Sequence, residues 1–227
     1  MGRLLRWPSW PAPSISCNWQ LWVAKFPWPP DTDVLRRVPA DHHLLRPGTL
    51  FARIYARGGS HPTTWGAFRL DGPLPGARFD HHVAGDRRGV MYGAGSLQTC
   101  VAEVFQGSRV IDRFAADRCL AAFRLARSVR LLDLTRDWPT RAGASQAIAA
   151  GPRPRAQAWA RAIYEAYPNV QGIWYPSSMH GGHPAIVLFE RAEPALPSIP
   201  DLDVPLSHPG LLPDLVRTAG SLGYLLR

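Results

Sequence analysis

The stretch GVMYGAGSLQTCVAEVF, residues 89–105, combines an apolar strand, a turn of small residues and an amphipathic helix in immediate succession. Residues 88–94 are rich in strand formers, and Ser96 stands where a helix N-cap is expected. Apolar residues then recur at helical spacing, at Leu97, Cys100, Val101, Val104 and Phe105. Glu103 is the only charged residue of this helix and lies on the polar flank of its apolar stripe. The chain therefore presents one carboxylate beside a glycine-lined turn.

Strands and short helices surround this stretch without strict alternation. The patterns predict strands at 49–56, 119–126, 128–134, 172–178 and 185–191, and a short extended segment at 77–80. They predict helices at 31–38, from Pro154 to the residue before Pro168, and in the apolar tail after residue 213. Such a mixture predicts an α+β fold, a mixed β core with flanking short helices.

The chain divides into three segments by composition. Residues 1–47 form a Trp/Pro-rich N-terminal arm, since five of the nine tryptophans and six prolines fall in the first 30 residues. Residues 48–192 hold the predicted core, including a long loop over 57–76 that is punctuated by glycine and proline. Residues 193–227 form a Pro-rich tail that ends in a short helix.

Charge and cysteine content limit the setting in which this protein acts. The net charge of +9 comes almost wholly from arginine, because Lys25 is the only lysine. This charge favours acidic partners, but the arginines are scattered, so a merely solvated surface is an equal alternative. Three cysteines without a CxxC pair indicate a reducing, cytoplasmic location. No run of 18 apolar residues exists, so we expect no membrane span.

Several familiar motifs are incomplete. Gly93 and Gly95 follow a strand and Asp112 lies downstream, but Gln98 occupies the place of the third glycine of a dinucleotide-binding fingerprint. The pairs His42-His43 and His81-His82 are adjacent, which points neighbouring strand side chains to opposite faces, and His180 and His183 lack nearby acidic or cysteine ligands. Surface or loop histidines are the simpler interpretation, and we expect no metal. The sequence contains neither a GxSxG elbow nor a phosphate-binding GxxxxGK[ST] loop.

A set of separated residues resembles the RES-domain family, which is named for its arginine, glutamate and serine. The set comprises Arg53 in LFARIYA, Arg78 in ARFD, Tyr92 and Glu103 in VMYGAGSLQTCVAEVF, and Ser177 in GIWYPSSMHGG. The resemblance covers about residues 48–191. It implies a fold similar to ADP-ribosylating toxins, with NAD as the substrate, and a toxin that is paired with a cognate Xre-type antitoxin.

The resemblance also implies roles for these residues. Glu103, Tyr92 and Arg78 would be catalytic, and NAD would be bound by Arg53, Arg78, Tyr92 and Ser177. A fixed carboxylate suits the oxocarbenium character that develops when the nicotinamide–ribose bond breaks, and guanidinium groups suit a pyrophosphate. Each residue also has an ordinary structural alternative: an ion-paired surface glutamate or arginine, a half-buried tyrosine, or a serine that closes its own turn. Ser177 is preferred to Ser178 only through the family position.

Three functions are compatible with the sequence. The first is a toxin that cleaves NAD by hydrolysis or phosphorolysis and so depletes it. The second is a mono-ADP-ribosyltransferase that modifies a protein target. The third is a basic nucleic-acid-binding protein without enzymatic activity, which ranks below the others because no binding module or compact basic patch with interleaved aromatics is present.

Overall fold

The computed structural model describes residues 25–227, and the predictions that concern residues 1–24, Cys17 among them, lie outside this range. The helices are α1 (Thr32–Arg36), α2 (Leu97–Val104), α3 (Trp138–Arg141), α4 (Arg153–Ala166) and α5 (Leu212–Leu222). The strands are β1 (His42–Leu45), β2 (Leu50–Ala56), β3 (Val90–Ala94), β4 (Val110–Ile111), β5 (Arg118–Arg124), β6 (Val129–Asp133), β7 (Gly172–Pro176), β8 (Pro184–Phe189), β9 (Leu202–Pro205) and β10 (Leu225–Leu226).

Eight strands form one mixed sheet in the order β1-β6-β7-β8-β3-β2-β5-β9. Among the described residues, β6 and β7 pair in parallel within this sheet, and the other neighbouring pairs are antiparallel. The predicted α+β class is confirmed, as are the five predicted strands and the helices that begin near residues 31, 97, 154 and 213. The antiparallel pairing of β3 with both neighbours also agrees with the absence of a complete dinucleotide fingerprint.

Both faces of the sheet are buried, as the alternation of β8 shows. Ala185, Val187 and Phe189 belong to the cluster that α4 covers with Trp159, whereas Ile186 and Leu188 belong to the cluster on the opposite face. Ser96 caps α2, since its hydroxyl accepts a hydrogen bond from the Thr99 amide as the sequence predicts. A third cluster joins α2 to α5 through residues such as Val101 and Leu215. The helix that holds Glu103 is therefore fixed on two sides.

Strands β2 and β3 separate soon after they meet. Ala52 pairs with Ala94, and the same register would pair Ile54 with Tyr92. Instead, the chain at Arg69 forms an isolated bridge to Val90 and occupies the edge of β3. After the Ala52–Ala94 pair, β2 and β3 therefore diverge within the sheet.

Gly93 is required where these two strands are still in contact. A Cβ atom there would lie 2.4 Å from the Ala52 carbonyl oxygen and equally close to the Phe51 ring. The close approach of β2 therefore accounts for the glycine at this position.

Two segments differ from their sequence predictions. Residues 77–80 contain a turn rather than a short extended segment. The chain packs against α4 here, since the Gln157 side chain donates hydrogen bonds to the Leu74 and Ala77 carbonyls. His81 and His82 do lie in a loop, but both are buried, at 0% and 4% exposure, rather than on the surface.

The segments outside the predicted core contribute to the same sheet. β1 pairs with β6, and β9 pairs with β5, so residues on both sides of the 48–192 segment supply edge strands. The segment boundaries stay predictions. Across residues 25–227, none of the helices has the length and apolar character needed to cross a membrane.

Candidate functional site

A cavity of about 370 Å³ opens where β2 and β3 separate. β2 contributes Ile54 to its wall, β3 contributes Tyr92 and Gly93, and α2 contributes Cys100 and Glu103. The rest of the wall comes from the segment between β2 and β3, from the end of α2 and the residues after it, from the start of α4 and the segment before it, and from the end of β7 and the turn after it. These residues are Arg69, Leu74, Gly76, Ala77, Arg78, Val104, Gln106, Ala149, Arg153, Tyr175 and Ser178. Its size is within the usual range for small-molecule sites.

Glu103 contacts Ser177 directly. The Ser177 hydroxyl donates a 2.6 Å hydrogen bond to Glu103 Oε1 and accepts hydrogen bonds from the Met179 and His180 amides at 3.2 and 3.0 Å. Burial raises the pKa of Glu103, and the Ser177 hydrogen bond, with Arg78 and Arg153 nearby, partly offsets this rise. The serine therefore links the β7–β8 turn to the carboxylate and favours its ionised form.

Arg78 and Arg153 place two positive charges on the cavity wall. Arg78 donates to the Gly151 carbonyl, and Arg153 donates to the Gly76 carbonyl and to Gln106 Oε1 at 3.0 and 3.1 Å. Burial lowers the pKa of Arg78, and the neighbouring positive charge of Arg153 adds to this effect. Within residues 25–227, neither arginine forms a salt bridge. Their charge is available to an anion.

Tyr92 is held from behind by Asp80. Its hydroxyl donates a 2.9 Å hydrogen bond to Asp80 Oδ1 and accepts one from the Phe79 amide at 3.0 Å. Burial raises the pKa of the Tyr92 hydroxyl well above its ordinary value, and the adjacent Asp80 charge acts in the same direction. Tyr92 is therefore a neutral phenol on the cavity wall.

Arg53, unlike Glu103, Arg78 and Tyr92, is not among the residues that line the cavity. It is 6% exposed, and its guanidinium donates to the Trp65 and Ala67 carbonyls at 3.3 and 2.9 Å. Ile54, the next residue of β2, lines the cavity, and successive strand residues point to opposite faces. The structure thus brings together Glu103, Ser177, Arg78 and Tyr92, while the Arg53 side chain supports the loop over 65–67.

A family model described as the RES domain matches residues 50–208. The chain belongs to the RES-domain family. The structure is similar to a chain of the M. tuberculosis MbcT–MbcA toxin–antitoxin complex, with a TM-score of 0.52 and 18% sequence identity. This similarity covers 81% of this chain and 95% of the other, and at such identity it concerns the fold alone. No curated protein matches the sequence.

The structure also adds residues to the candidate site of this RES domain. Arg69, Arg153 and Tyr175 line the cavity, and Asp80 lies behind it. Arg153 lies between two prolines, one residue before the predicted helix start at Pro154, and no pattern marks that position. Asp80 is the last residue of the quoted ARFD motif, in which the family resemblance implies a role only for the arginine. Across residues 25–227, no group of three His, Cys, Asp or Glu side chains is arranged to hold a metal ion.

Proposed function

We propose that this RES domain is a toxin that cleaves the nicotinamide–ribose bond of NAD. The observation that supports it best is the placement of one carboxylate, Glu103, on a cavity that also holds two arginines without carboxylate partners among the described residues. The family relationship and the fold shared with a toxin–antitoxin complex support the same proposal.

Glu103 supplies the charge that the reaction needs. As the glycosidic bond breaks, positive charge develops on the ribose, and a carboxylate fixed nearby stabilises it. Ser177 holds Oε1, so that the carboxylate keeps one orientation and the ionised form is favoured. Since α2 is packed against both the sheet and α5, the carboxylate is preorganised before the substrate binds.

Arg78 and Arg153 suit the anionic part of the substrate. NAD carries a pyrophosphate, and guanidinium groups bind such oxygens with paired donors. The same two charges would also attract an inorganic phosphate as the acceptor of the ADP-ribose. Water is the other small acceptor, and a protein side chain would make the enzyme a mono-ADP-ribosyltransferase.

The biological setting follows from this chemistry. A toxin that depletes NAD acts in the cytoplasm and must be blocked by a partner. The family relationship favours an Xre-type antitoxin as that partner. An acidic inhibitor would suit the net charge of +9. Direct nucleic-acid binding is the competing proposal, and it predicts an affinity that falls steeply with salt and is independent of Glu103.

The decisive experiment measures nicotinamide release from NAD by the purified protein, with and without phosphate. Release by the parent protein and its loss in Glu103→Gln would support the proposal. A product that changes from ADP-ribose to its phosphorylated form would identify phosphate as the acceptor. No release under either condition would reject small-molecule cleavage and redirect the search to a protein target or to nucleic acid.

A further inference from the structure

Asp80 is a fully buried carboxylate with an unusually complete set of donors. Its exposure is 0%, and one nitrogen of Arg69 contacts both carboxylate oxygens at 2.7 and 2.8 Å. The Leu74 amide donates to Oδ2 at 2.9 Å, and the Tyr92 hydroxyl donates to Oδ1 at the same distance. Burial of an ionised carboxylate has a large desolvation cost, which hydrogen-bond donors such as these offset.

All three of these donor residues, Arg69, Leu74 and Tyr92, belong to the cavity wall. Tyr92 comes from β3, and Arg69 comes from the segment that bridges β3, so Asp80 joins two independent parts of the wall. Asp80 itself is not among the residues that line the cavity, and its carboxylate contacts the hydroxyl end of Tyr92. Any effect that it has on a bound substrate must therefore pass through Tyr92, Arg69 or Leu74.

The hydrogen-bonding capacity of the Tyr92 hydroxyl is largely used within the protein. A phenol has one proton to donate, and here that proton goes to Asp80 while the Phe79 amide occupies an acceptor position. The hydroxyl consequently has no proton left for a substrate. The part of Tyr92 that is left for a substrate is therefore its ring, and the two hydrogen bonds of the hydroxyl restrain that ring.

We infer that Asp80 is a positioning residue of the RES site, which fixes the Tyr92 ring and the Arg69 guanidinium against the bound substrate. This inference rests on the proposed function for its kinetic consequences. It goes beyond that proposal because it assigns the Tyr92 hydroxyl to an internal bond and gives the ring face, rather than the hydroxyl, to the substrate.

The test compares Asp80→Asn, Tyr92→Phe and the double variant with Asp133→Asn as a matched control. Asp133 is similarly buried, at 2% exposure, and its carboxylate accepts two hydrogen bonds from Thr135, but it does not line the cavity or contact its wall. The measurements are kcat and KM for NAD, the free energy of unfolding, and the flipping rate of the residue-92 ring by NMR.

Asp80→Asn is expected to raise KM about tenfold with a smaller change in kcat, since a displaced wall weakens binding of the substrate. The residue-92 ring should flip faster in Asp80→Asn and in Tyr92→Phe, and the double variant should bind no worse than Asp80→Asn alone. Asp133→Asn should lose stability and keep the KM of the parent. If Asp80→Asn does not fold, Tyr92→Phe tests the inference through its KM and ring flipping.

Two failures are distinguishable. A parent protein that releases no nicotinamide refutes the proposed function, and the ring-flipping rates still test the positioning role. If the KM and the ring-flipping rates of the folded variants equal those of the parent, Asp80 has only a structural role and the inference is wrong. Equal rises of KM in Asp80→Asn and Asp133→Asn would also overturn it, because general loss of stability would then explain both.

Discussion

Replacing Ser177 by alanine tests how the site controls the charge of Glu103. The Ser177 hydroxyl is buried, at 2% exposure, and it makes three hydrogen bonds: one to Glu103 and two from amides of its own turn. Ser178, the adjacent residue, is exposed and lies on the cavity wall. Ser178→Ala is therefore a matched control for Ser177→Ala. The comparison also tests which of the two serines is the site residue, a choice that the sequence made only through the family position.

The size of the effect follows from the two forms of the carboxyl. A hydrogen bond to a charged group contributes about 1.5–3 kcal/mol, and one to a neutral group about 1 kcal/mol. The ionised form of Glu103 thus loses about 1.4 kcal/mol more than the protonated form in Ser177→Ala, which is about a factor of ten. Burial raises the pKa of Glu103, and the Ser177 hydrogen bond lowers it, so removal of that hydrogen bond raises the pKa further. On the acid side of the profile, kcat/KM should fall about tenfold at a given pH.

The assay is the pH profile of nicotinamide release for the parent, Ser177→Ala and Ser178→Ala. The acid limb should move to higher pH in Ser177→Ala and stay in place in Ser178→Ala. Ser177→Ala should also lose about 2–4 kcal/mol in the free energy of unfolding, because three hydrogen bonds disappear. Superimposable acid limbs for Ser177→Ala and the parent, or a shift in Ser178→Ala alone, would refute the reasoning.

Three further predictions follow from the geometry. Glu103→Gln should lower kcat about a thousandfold relative to Glu193→Gln, a control at an exposed glutamate. The reason is that a carboxylate about 4 Å from a unit charge contributes about 4 kcal/mol at an effective dielectric constant of 20. A decrease of less than tenfold in single-turnover kinetics would contradict this prediction. Glu103 has a raised pKa, so its ionisation costs stability as pH rises above the ordinary value of 4.5. Urea denaturation should therefore find Glu103→Gln more stable than the parent at neutral pH but not below pH 4.5, and equal stability at both would disprove this cost. Gly93→Ala should lower the free energy of unfolding by about 1–3 kcal/mol through the clash with Ala52. Gly95→Ala should cause no such loss, because no described atom lies within 4 Å of the new Cβ. Thermal unfolding of both variants measures the difference.

Local patterns in the sequence were sufficient for the elements around Glu103. Alternation and strand formers located β3, Ser96 located the start of α2, and the helical period placed the carboxylate on the polar flank. These features depend on residues within a few positions of one another. The predicted strands and helices are confirmed for the same reason, with shifts of one or two residues at their ends.

The rest of the site depends on contacts between distant residues. Arg153 reaches the cavity because its side chain and that of Gln157 bind carbonyls of the loop at 74–77. Arg53 misses it because the face of β2 to which it belongs is set by pairing with β5, and the loop at 65–67 then covers that face. No spacing within the sequence encodes either outcome, since both depend on how the long loop folds over the sheet.

The two carboxylates near the cavity show why position alone does not assign a role. Asp80 accepts hydrogen bonds from an arginine, an amide and a tyrosine, so its oxygens are occupied and it cannot respond to a substrate. Glu103 accepts one side-chain hydrogen bond from within residues 25–227, at Oε1, and burial raises its pKa. A group that is to stabilise a developing cation must keep part of its charge unpaired until the cation forms. The difference in the number of donors therefore supports the proposed catalytic role of Glu103 and the proposed positioning role of Asp80.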